Sequence, residues 1–169
     1  MFFLGIDPGL TGAVACIDER SKLVWLHDTP VVTVGTRVEY DLQAMVALFA
    51  PWHTTSDMFP PVFVVIERQQ AMPRQGVVST FRTGYGFGLW MMLLHALKLP
   101  HGVPVLARAW KLDAGLAGIK VNWKEAARFT AQGLFPHAPL HLKKHHGRAE
   151  ALLLANYGRR QHPALVESA

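Results

Sequence analysis

The chain has 169 residues, half of them hydrophobic, which is enough for one domain with a substantial core and excludes a disordered chain. Its 17 Lys and Arg outnumber 12 Asp and Glu, and the formal net charge of +5 favours a polyanionic partner. The single cysteine, Cys16, excludes an intramolecular disulfide and a cysteine-based zinc site, as expected in a reducing compartment. No segment has the roughly 20 apolar residues of a membrane span or the pattern of a secretion signal, so we expect a soluble protein with one domain over residues 1–169.

Five apolar segments have the length and composition of strands. They cover residues 2–6, 12–17, 22–26, 62–66 and 103–106. Short polar turns separate the first three, so we expect them to pair as antiparallel neighbours. The fourth is an uninterrupted apolar run, typical of a central strand covered on both faces. The predicted fold class is α/β, with a mixed five-stranded central sheet flanked by helices.

Four helices are predicted, over residues 42–50, 84–97, 122–133 and 148–157. Asp41 is the expected N-cap of the first, which should bury Leu42, Met45, Val46 and Phe49 and end at Pro51 before a loop through residues 60 and 61. The second is apolar nearly all round, so it should lie in the core and partly at a dimer interface. The last should dock through Leu152, Leu153 and Ala155.

Three acidic residues stand at positions where the predicted elements could bring them together. Asp7 follows the first strand, Glu67 follows the fourth, and Glu150 lies in the last helix. Burying like charges is costly unless a divalent cation neutralises them, so such a cluster is typical of a Mg²⁺ or Mn²⁺ site. Two such ions can activate water and stabilise the leaving oxygen in phosphodiester cleavage. Simpler interpretations remain open, because Asp7 can initiate a turn before Pro-Gly and Glu150 can be an exposed acid near a helix N-terminus.

Five segments, spread over most of the chain, together resemble a known family. They are GIDPG at 5–9 with Thr11 and Gly12, VVIE at 64–67, residues 73–88, AWK at 109–111 and GRAEALLLA at 147–155. In this order they resemble the RuvC-type Holliday junction resolvases of the RNase H-like superfamily, especially the small phage and organelle-like branch. The resemblance implies an RNase H-like fold and a metal-dependent homodimer that resolves four-way DNA junctions by paired symmetric nicks in recombination and repair. It also implies a location in the bacterial or phage-infected host cytoplasm, or in an organelle matrix.

The same resemblance implies roles for individual residues. Asp7 would bridge two metal ions, Glu67 would ligate a metal and orient the attacking water, Glu150 would complete the site, and Lys111 would stabilise the scissile phosphate. Relatives usually have an acid immediately before the Gly of the last segment, where this chain has His146. A helix would place His146 on the same face as the acid four positions later, so His146 is a candidate metal ligand or proton acceptor. Alternatively, it is a solvated loop residue.

Basic and polar residues near these acids are candidates for contacts with DNA. They are Arg68, Gln70, Met72, Arg74, Gln75, Lys111, Lys120, Lys124, Lys143, Lys144 and Arg148. Met72 is the apolar residue nearest to the place where relatives insert a side chain between base pairs. Phe81 and Trp110 are predicted to pack in the core.

Other functions remain open at this point. A related RNase H-like nuclease acting on RNA or duplex DNA would use the same acids, because they report phosphodiester chemistry and not substrate shape. A junction-binding protein that no longer cleaves would result if His146 does not replace the missing acid. An actin-like sugar kinase or ATPase also begins with a strand, Gly-x-Asp and a turn, but needs two lobes and therefore a longer chain.

Overall fold

The structure is a computed structural model that describes residues 1–53 and 61–167, so the predicted loop through residues 60 and 61 lies largely outside the described residues. In chain order the elements are β1 (Phe2–Asp7), β2 (Ala13–Asp18), β3 (Leu23–Asp28), β4 (Val31–Val34), β5 (Arg37–Tyr40), α1 (Leu42–Ala47), α2 (Ala50–His53), β6 (Val62–Ile66), α3 (Val77–Ala96), α4 (Ala107–Asp113), α5 (Trp123–Leu134), a 3₁₀ turn (Lys143–His145) and α6 (His146–Glu167). Among these residues no helix is both long and apolar enough to cross a bilayer.

The main sheet has four strands, in the order β3, β2, β1, β6. β1 pairs antiparallel with β2, and β2 with β3, as predicted, whereas β1 and β6 are parallel. The prediction of a fifth strand at residues 103–106 is wrong. Residues 101–105 follow β6 at the edge of the sheet through single bridges only, between Val64 and His101 and between Glu67 and Val105. Pro104 has no N–H to donate to a ladder, which limits the pairing.

A separate hairpin of β4 and β5 was not predicted. The two strands pair antiparallel around a turn in which Gly35 has φ +62°. Their valines at positions 31, 32, 34 and 38 are all exposed, so no alternation of buried and exposed residues marks these strands in the sequence.

Helix α6 covers one face of the sheet, and its backbone touches that of β1. A Cβ on Gly5 would collide with the carbonyl oxygen of Ala151 and the amide nitrogen of Ala155. Gly147, in the first turn of α6, approaches the carbonyl oxygen of Thr11 in the same way. Only glycine allows backbones to come this close, so these two positions fix the height of α6 above the sheet.

The predicted docking residues of α6 are confirmed, since Leu152, Leu153 and Ala155 are all buried. The helix is longer than predicted at both ends, because it begins at His146 and extends to Glu167. Helix α5 lies close to its predicted position and buries Ala127 and Ala131. Cys16 is buried and has a free thiol.

Helices α1 and α3 lie on the opposite face. The predicted N-cap of α1 is confirmed, because Oδ1 of Asp41 accepts a hydrogen bond from the N–H of Ala44 at 3.0 Å. Met45 and Phe49 are buried, but Leu42 and Val46 are exposed, contrary to the prediction that all four share the buried side. The helix ends at Ala47, before Pro51, which lies in the separate α2.

Helix α3 begins seven residues earlier than predicted, at Val77. It buries only Gly86, beside Tyr40, and Trp90 and Leu94, in the core cluster with β1, β2 and β6. Large apolar side chains remain exposed along it, namely Val77, Val78, Phe81, Tyr85 and Met92. The predicted core packing of α3 therefore holds for one side of the helix only.

Candidate active site

The parallel pairing of β1 with β6 brings Asp7 and Glu67 to the same edge of the sheet. Ile6 stands opposite Ile66, so the acids that follow them emerge side by side. The N–H of Glu67 donates to the carbonyl oxygen of Ile6 at 3.1 Å, which fixes this register up to the acid itself. Asp7 is partly buried, and its Oδ1 accepts a hydrogen bond from the N–H of Gly9 at 3.3 Å.

Helix α6 adds Glu150 to this edge. The residue lies one turn into the helix and is buried, with 6% of its surface exposed. Its position follows from Gly147, which lets the first turn of α6 rest on the turn between β1 and β2. The third acid therefore depends on a backbone contact that a larger side chain would prevent.

Burial, together with the negative charges of the three carboxylates, raises the pKa values of this group. Burial, followed by the charge of Glu67, raises the pKa of Asp7 to about 7. Burial raises the pKa of Glu150 well above its usual range, and the charges of Asp7 and Glu67 act in the same direction. Burial also raises the pKa of Glu67. The site therefore opposes the simultaneous ionisation of its acids, which is the condition that a bound cation would relieve.

The donor set fits a hard divalent cation. Mg²⁺ and Mn²⁺ prefer carboxylate oxygens, and three acids that repel each other at a strand edge supply them. Within residues 1–53 and 61–167, no three His, Cys, Asp or Glu side chains are close enough together to coordinate one metal ion as they stand. Asp7, Glu67 and Glu150 therefore affect one another's pKa but do not form a preassembled metal site.

Of the three acids, Glu67 is the one whose side chain accepts the most hydrogen bonds from the described residues. Its Oε1 accepts from the indole Nε1–H of Trp110 at 3.2 Å, and its Oε2 accepts from the side-chain amide of Gln69 at 3.0 Å. Trp110 is buried, as predicted, but it also donates this hydrogen bond, which was not predicted. No sequence pattern links residues 67 and 110, so only the fold could reveal the contact.

Two of the predicted lysines face the acids. The charge of Lys111 lowers the pKa of Glu67 and Glu150, and that of Lys124 lowers the pKa of Asp7 and Glu150, each against the larger effect of burial. The Lys111 ammonium lies 3.4 Å from the centre of the Trp123 ring, which holds it in place by a cation–π contact. Lys120 is exposed, and no contact in the described structure connects it to the acids.

His146 is the first residue of α6 and is half-buried. It lines a cavity of about 320 Å³ together with Lys124, Lys143 and two other residues, Asn122 and Glu125. Burial lowers the pKa of His146, and the charge of Lys124 lowers it further, so the neutral imidazole is favoured. It lies in α6 one helical turn before Glu150, as predicted, and not in a loop. Among the described residues no hydrogen bond or ion pair joins its ring to the three acids, so its role in the site stays a prediction.

The basic residues predicted to contact DNA around the start of α6 differ in their surroundings. Lys143 and Lys144 are exposed. Arg148 instead forms a two-pronged ion pair with Asp28 of β3, at 2.6 and 2.7 Å, and donates a third hydrogen bond to Pro139. His145 is buried, so this imidazole is not a surface cation for phosphates.

The loop after Glu67 presents several of the predicted DNA-contacting residues. Arg68, Gln70 and Met72 line a cavity of about 420 Å³ that opens beside Glu67. Met72 is 58% exposed and Arg74 is exposed with φ +64°. The side chain of Gln75 is occupied within the protein, because its carbonyl accepts from the N–H of Met72 and its amide donates to two hydroxyls at the start of α3.

The prediction that Phe81 packs in the core is wrong. Its side chain is 72% exposed and stacks on Tyr85, with ring centres 6.2 Å apart and planes inclined by 5°. The error has a simple cause: α3 begins before the predicted start, so Phe81 falls on a solvent-facing side of a helix and not in a connecting loop that folds inward.

The comparisons with known proteins agree with this architecture. No protein-family model matches the chain. The chloroplastic Holliday junction resolvase MOC1 of Chlamydomonas reinhardtii is 38% identical over 93 residues, which are 53% of this chain and 10% of that protein. The match therefore spans about a tenth of the length of that relative.

Two solved structures match nearly the whole chain. RuvC of T. thermophilus in complex with a Holliday junction substrate has a TM-score of 0.64 and 19% identity, and covers 98% of this chain and 97% of its own. A second Thermus thermophilus RuvC structure has a TM-score of 0.58 and 18% identity, and covers 97% and 96%. The chain thus has the RuvC-type, RNase H-like fold, and the resemblance found in its sequence is confirmed by these relatives.

Proposed function

We propose that this protein is a structure-selective endodeoxyribonuclease that resolves four-way DNA junctions by paired symmetric nicks. The observation that carries the proposal is the meeting of Asp7, Glu67 and Glu150 at one edge of a sheet with the RuvC fold. The similarity to MOC1, whose name describes a Holliday junction resolvase, supports the choice of substrate.

The three carboxylates are the proposed ligands of two divalent ions, Mg²⁺ or Mn²⁺, which supply a Lewis acid for the phosphate and lower the pKa of bound water. Asp7 would hold these ions together with the other two acids, since burial raises the pKa of its carboxyl and its charge acts on Glu150. Glu67 is the proposed ligand that orients the attacking water. Lys111, whose charge lowers the pKa of Glu67, is the proposed residue that stabilises negative charge on the phosphate.

His146 takes the place of the fourth acid of relatives in this proposal. Its half-buried position and lowered pKa favour a neutral imidazole, which can ligate a metal or accept a proton near neutral pH. Imidazole is a better ligand for Mn²⁺ than for Mg²⁺, so we expect Mn²⁺ to support cleavage better.

The proposed DNA surface surrounds this edge. Lys124 and Lys143 line the cavity that contains His146, and Lys144 is exposed. Arg68, Gln70 and Met72 line the cavity that contains Glu67. Arg74 and Lys120 would extend it. Gln75 and Arg148 would first have to leave their present partners, so their proposed contribution is smaller.

The proposed active form is a homodimer, because paired nicks need two active sites. The exposed apolar side of α3, with Val77, Val78, Phe81, Tyr85 and Met92, is the proposed dimer surface. A large exposed apolar patch is typical of such interfaces. A bacterial or phage-infected host cytoplasm, or an organelle matrix, is the proposed location, and the chloroplastic relative supports the last of these.

The proposal is tested by strand-specific cleavage of an end-labelled, immobile four-way junction in Mg²⁺ and separately in Mn²⁺. Linear duplex DNA and an RNA–DNA hybrid are the controls. We expect paired symmetric nicks at the junction only, and faster in Mn²⁺. Cleavage of the controls would identify a general RNase H-like nuclease, whereas a bound but uncut junction in both metals would identify a binding protein.

A further inference from the structure

The carboxylate of Glu67 is held from two sides by neutral donors, Trp110 on Oε1 and Gln69 on Oε2. A carboxylate oxygen can accept more than one hydrogen bond, so each oxygen keeps a free lone-pair direction. The carboxylate plane cannot rotate without breaking both bonds. The two donors therefore determine which lone pairs face the other acids.

Trp110 is the more rigid of the two donors. It is fully buried, and its indole N–H is a donor only, whose direction is set by the ring plane. The segment that leads into α4 is also tied to the backbone around the acid: the N–H of Val105 donates to Ile66 at 2.9 Å, and the N–H of Arg68 donates to Val105 at 2.7 Å. The indole is thus fixed relative to the strand end that carries Glu67.

We propose that Trp110 is a positioning residue, whose indole N–H sets the orientation in which Glu67 receives a divalent cation. The inference rests on the proposed function, since it takes Glu67 as a metal ligand. Hydrogen bonds that orient a ligating group typically account for about 10–100-fold in metal affinity or activity. Trp110 does not touch the substrate or the metal in this role; it acts through Glu67.

Trp90 provides a matched control for the alternative that Trp110 is only a core residue. Both tryptophans are fully buried, and a change to Phe removes the same atoms from each. Among the described residues, however, the indole Nε1 of Trp90 has no hydrogen-bond partner. Only Trp110→Phe therefore removes a hydrogen bond to an acid.

The test measures Mn²⁺ binding to the metal-free full-length chain by calorimetry or electron paramagnetic resonance, without DNA. We expect Trp110→Phe to bind Mn²⁺ about tenfold more weakly than the wild type, and Trp90→Phe to stay within about twofold. In junction cleavage, kcat of Trp110→Phe should fall about tenfold while KM for the junction stays unchanged, since Lys111 and the DNA surface are retained.

Circular dichroism shows whether each variant is folded. If Trp110→Phe does not fold, Gln69→Leu in the half-buried loop replaces it, because it removes the other donor to Glu67 and should weaken Mn²⁺ binding in the same direction. Equal Mn²⁺ binding by the folded Trp110→Phe and Trp90→Phe variants would overturn the inference. Where Trp110→Phe does not fold, unchanged binding by Gln69→Leu would overturn it instead.

The outcomes distinguish an error in the role of Trp110 from an error in the proposed junction cleavage. If the wild type cleaves no junction but binds Mn²⁺ more tightly than Trp110→Phe, the proposed substrate is wrong and the role of Trp110 stands. If the wild type cleaves junctions and the two Phe variants are alike, only the role of Trp110 is wrong. A wild type that binds no Mn²⁺ would overturn both.

Discussion

The two faces of the sheet are covered in different ways. On one face, α6 lies against β1 at backbone distance, and all of its residues from Ala149 to Ala155 are buried. On the other face, α3 buries three residues and leaves a row of large apolar side chains exposed. The segment of α6 that carries Glu150 is therefore buried within one chain, whereas α3, which carries Phe81, has apolar surface available for a partner. Precise placement of an acid requires the first arrangement, and association with another molecule requires the second.

The substitution with the largest expected effect, Asp7→Asn, tests whether the active site lies where α6 meets the end of β1. Asp7→Asn removes a ligand charge with little change in shape, and loss of metal-based charge stabilisation costs several kcal/mol, so we expect junction cleavage to fall about 10³-fold or more. Junction binding and folding should persist. The measurement is single-turnover cleavage, with gel-shift binding as its companion.

Asp18→Asn is the matched control, because Asp18 ends β2 at the opposite end of the sheet, where it pairs with Phe2. This variant should cleave normally. Wild-type activity in Asp7→Asn would show that the site has been assigned to the wrong residues.

A second prediction concerns the close contact between α6 and β1. Gly5→Ala should lower the free energy of unfolding by about 3 kcal/mol or more, because the added Cβ meets backbone atoms of α6 that cannot move aside individually. Gly84→Ala, in the middle of α3 where a Cβ would have no neighbour within 4 Å, should raise it by about 0.5–1 kcal/mol. Denaturant unfolding of both variants measures the contrast, and similar values for the two would contradict it.

The pH dependence of stability gives a third prediction. Burial raises the pKa of Asp7 to about 7 from an ordinary value of 3.8. Between these two pH values the unfolded chain releases this proton and the folded chain keeps it. The free energy of unfolding contributed by Asp7 should therefore fall as pH rises from about 4 to about 7, by about 1.4 kcal/mol per pH unit for one retained proton.

The measurement is unfolding in chelator from pH 4 to pH 7, with wild type compared to Asp7→Asn so that the titrating groups whose pKa does not depend on Asp7 cancel. The difference between the two should change steadily with pH and lessen when Mn²⁺ is added. A difference that does not vary with pH would show that the carboxyl of Asp7 ionises normally in the folded protein.

The smallest expected effect concerns the exposed side of α3. Phe81→Ser should weaken homodimerisation about tenfold, or about 1.4 kcal/mol, without unfolding the monomer, because the side chain is already 72% exposed. Val34→Ser on the β4–β5 hairpin changes another exposed apolar residue and should leave association unchanged. Analytical ultracentrifugation measures both, and equal dimer stability in the two variants would place the dimer surface elsewhere.

Local patterns were sufficient for much of the fold. The apolar runs of β1, β2, β3 and β6 have no competing interpretation, and Asp41 is an efficient N-cap wherever a helix follows it. Hydrophobic patterns in the sequence led to wrong or missing predictions where apolar side chains are exposed to solvent. The valines of β4 and β5 face solvent, and the apolar residues of α3 surround the helix, so hydrophobicity alone could not show which side is buried.

The sequence by itself determined the strand ends that carry Asp7 and Glu67, the position of Glu150 in the last helix, and the resemblance to RuvC-type resolvases. Only the tertiary structure decided that Trp110 donates to Glu67, that Asp28 holds Arg148, and that Phe81 is exposed. The physical reason is the range of the interactions involved. Strand and cap patterns depend on neighbours a few residues away, whereas a hydrogen bond across 43 positions or an ion pair across 120 exists only once the chain has folded.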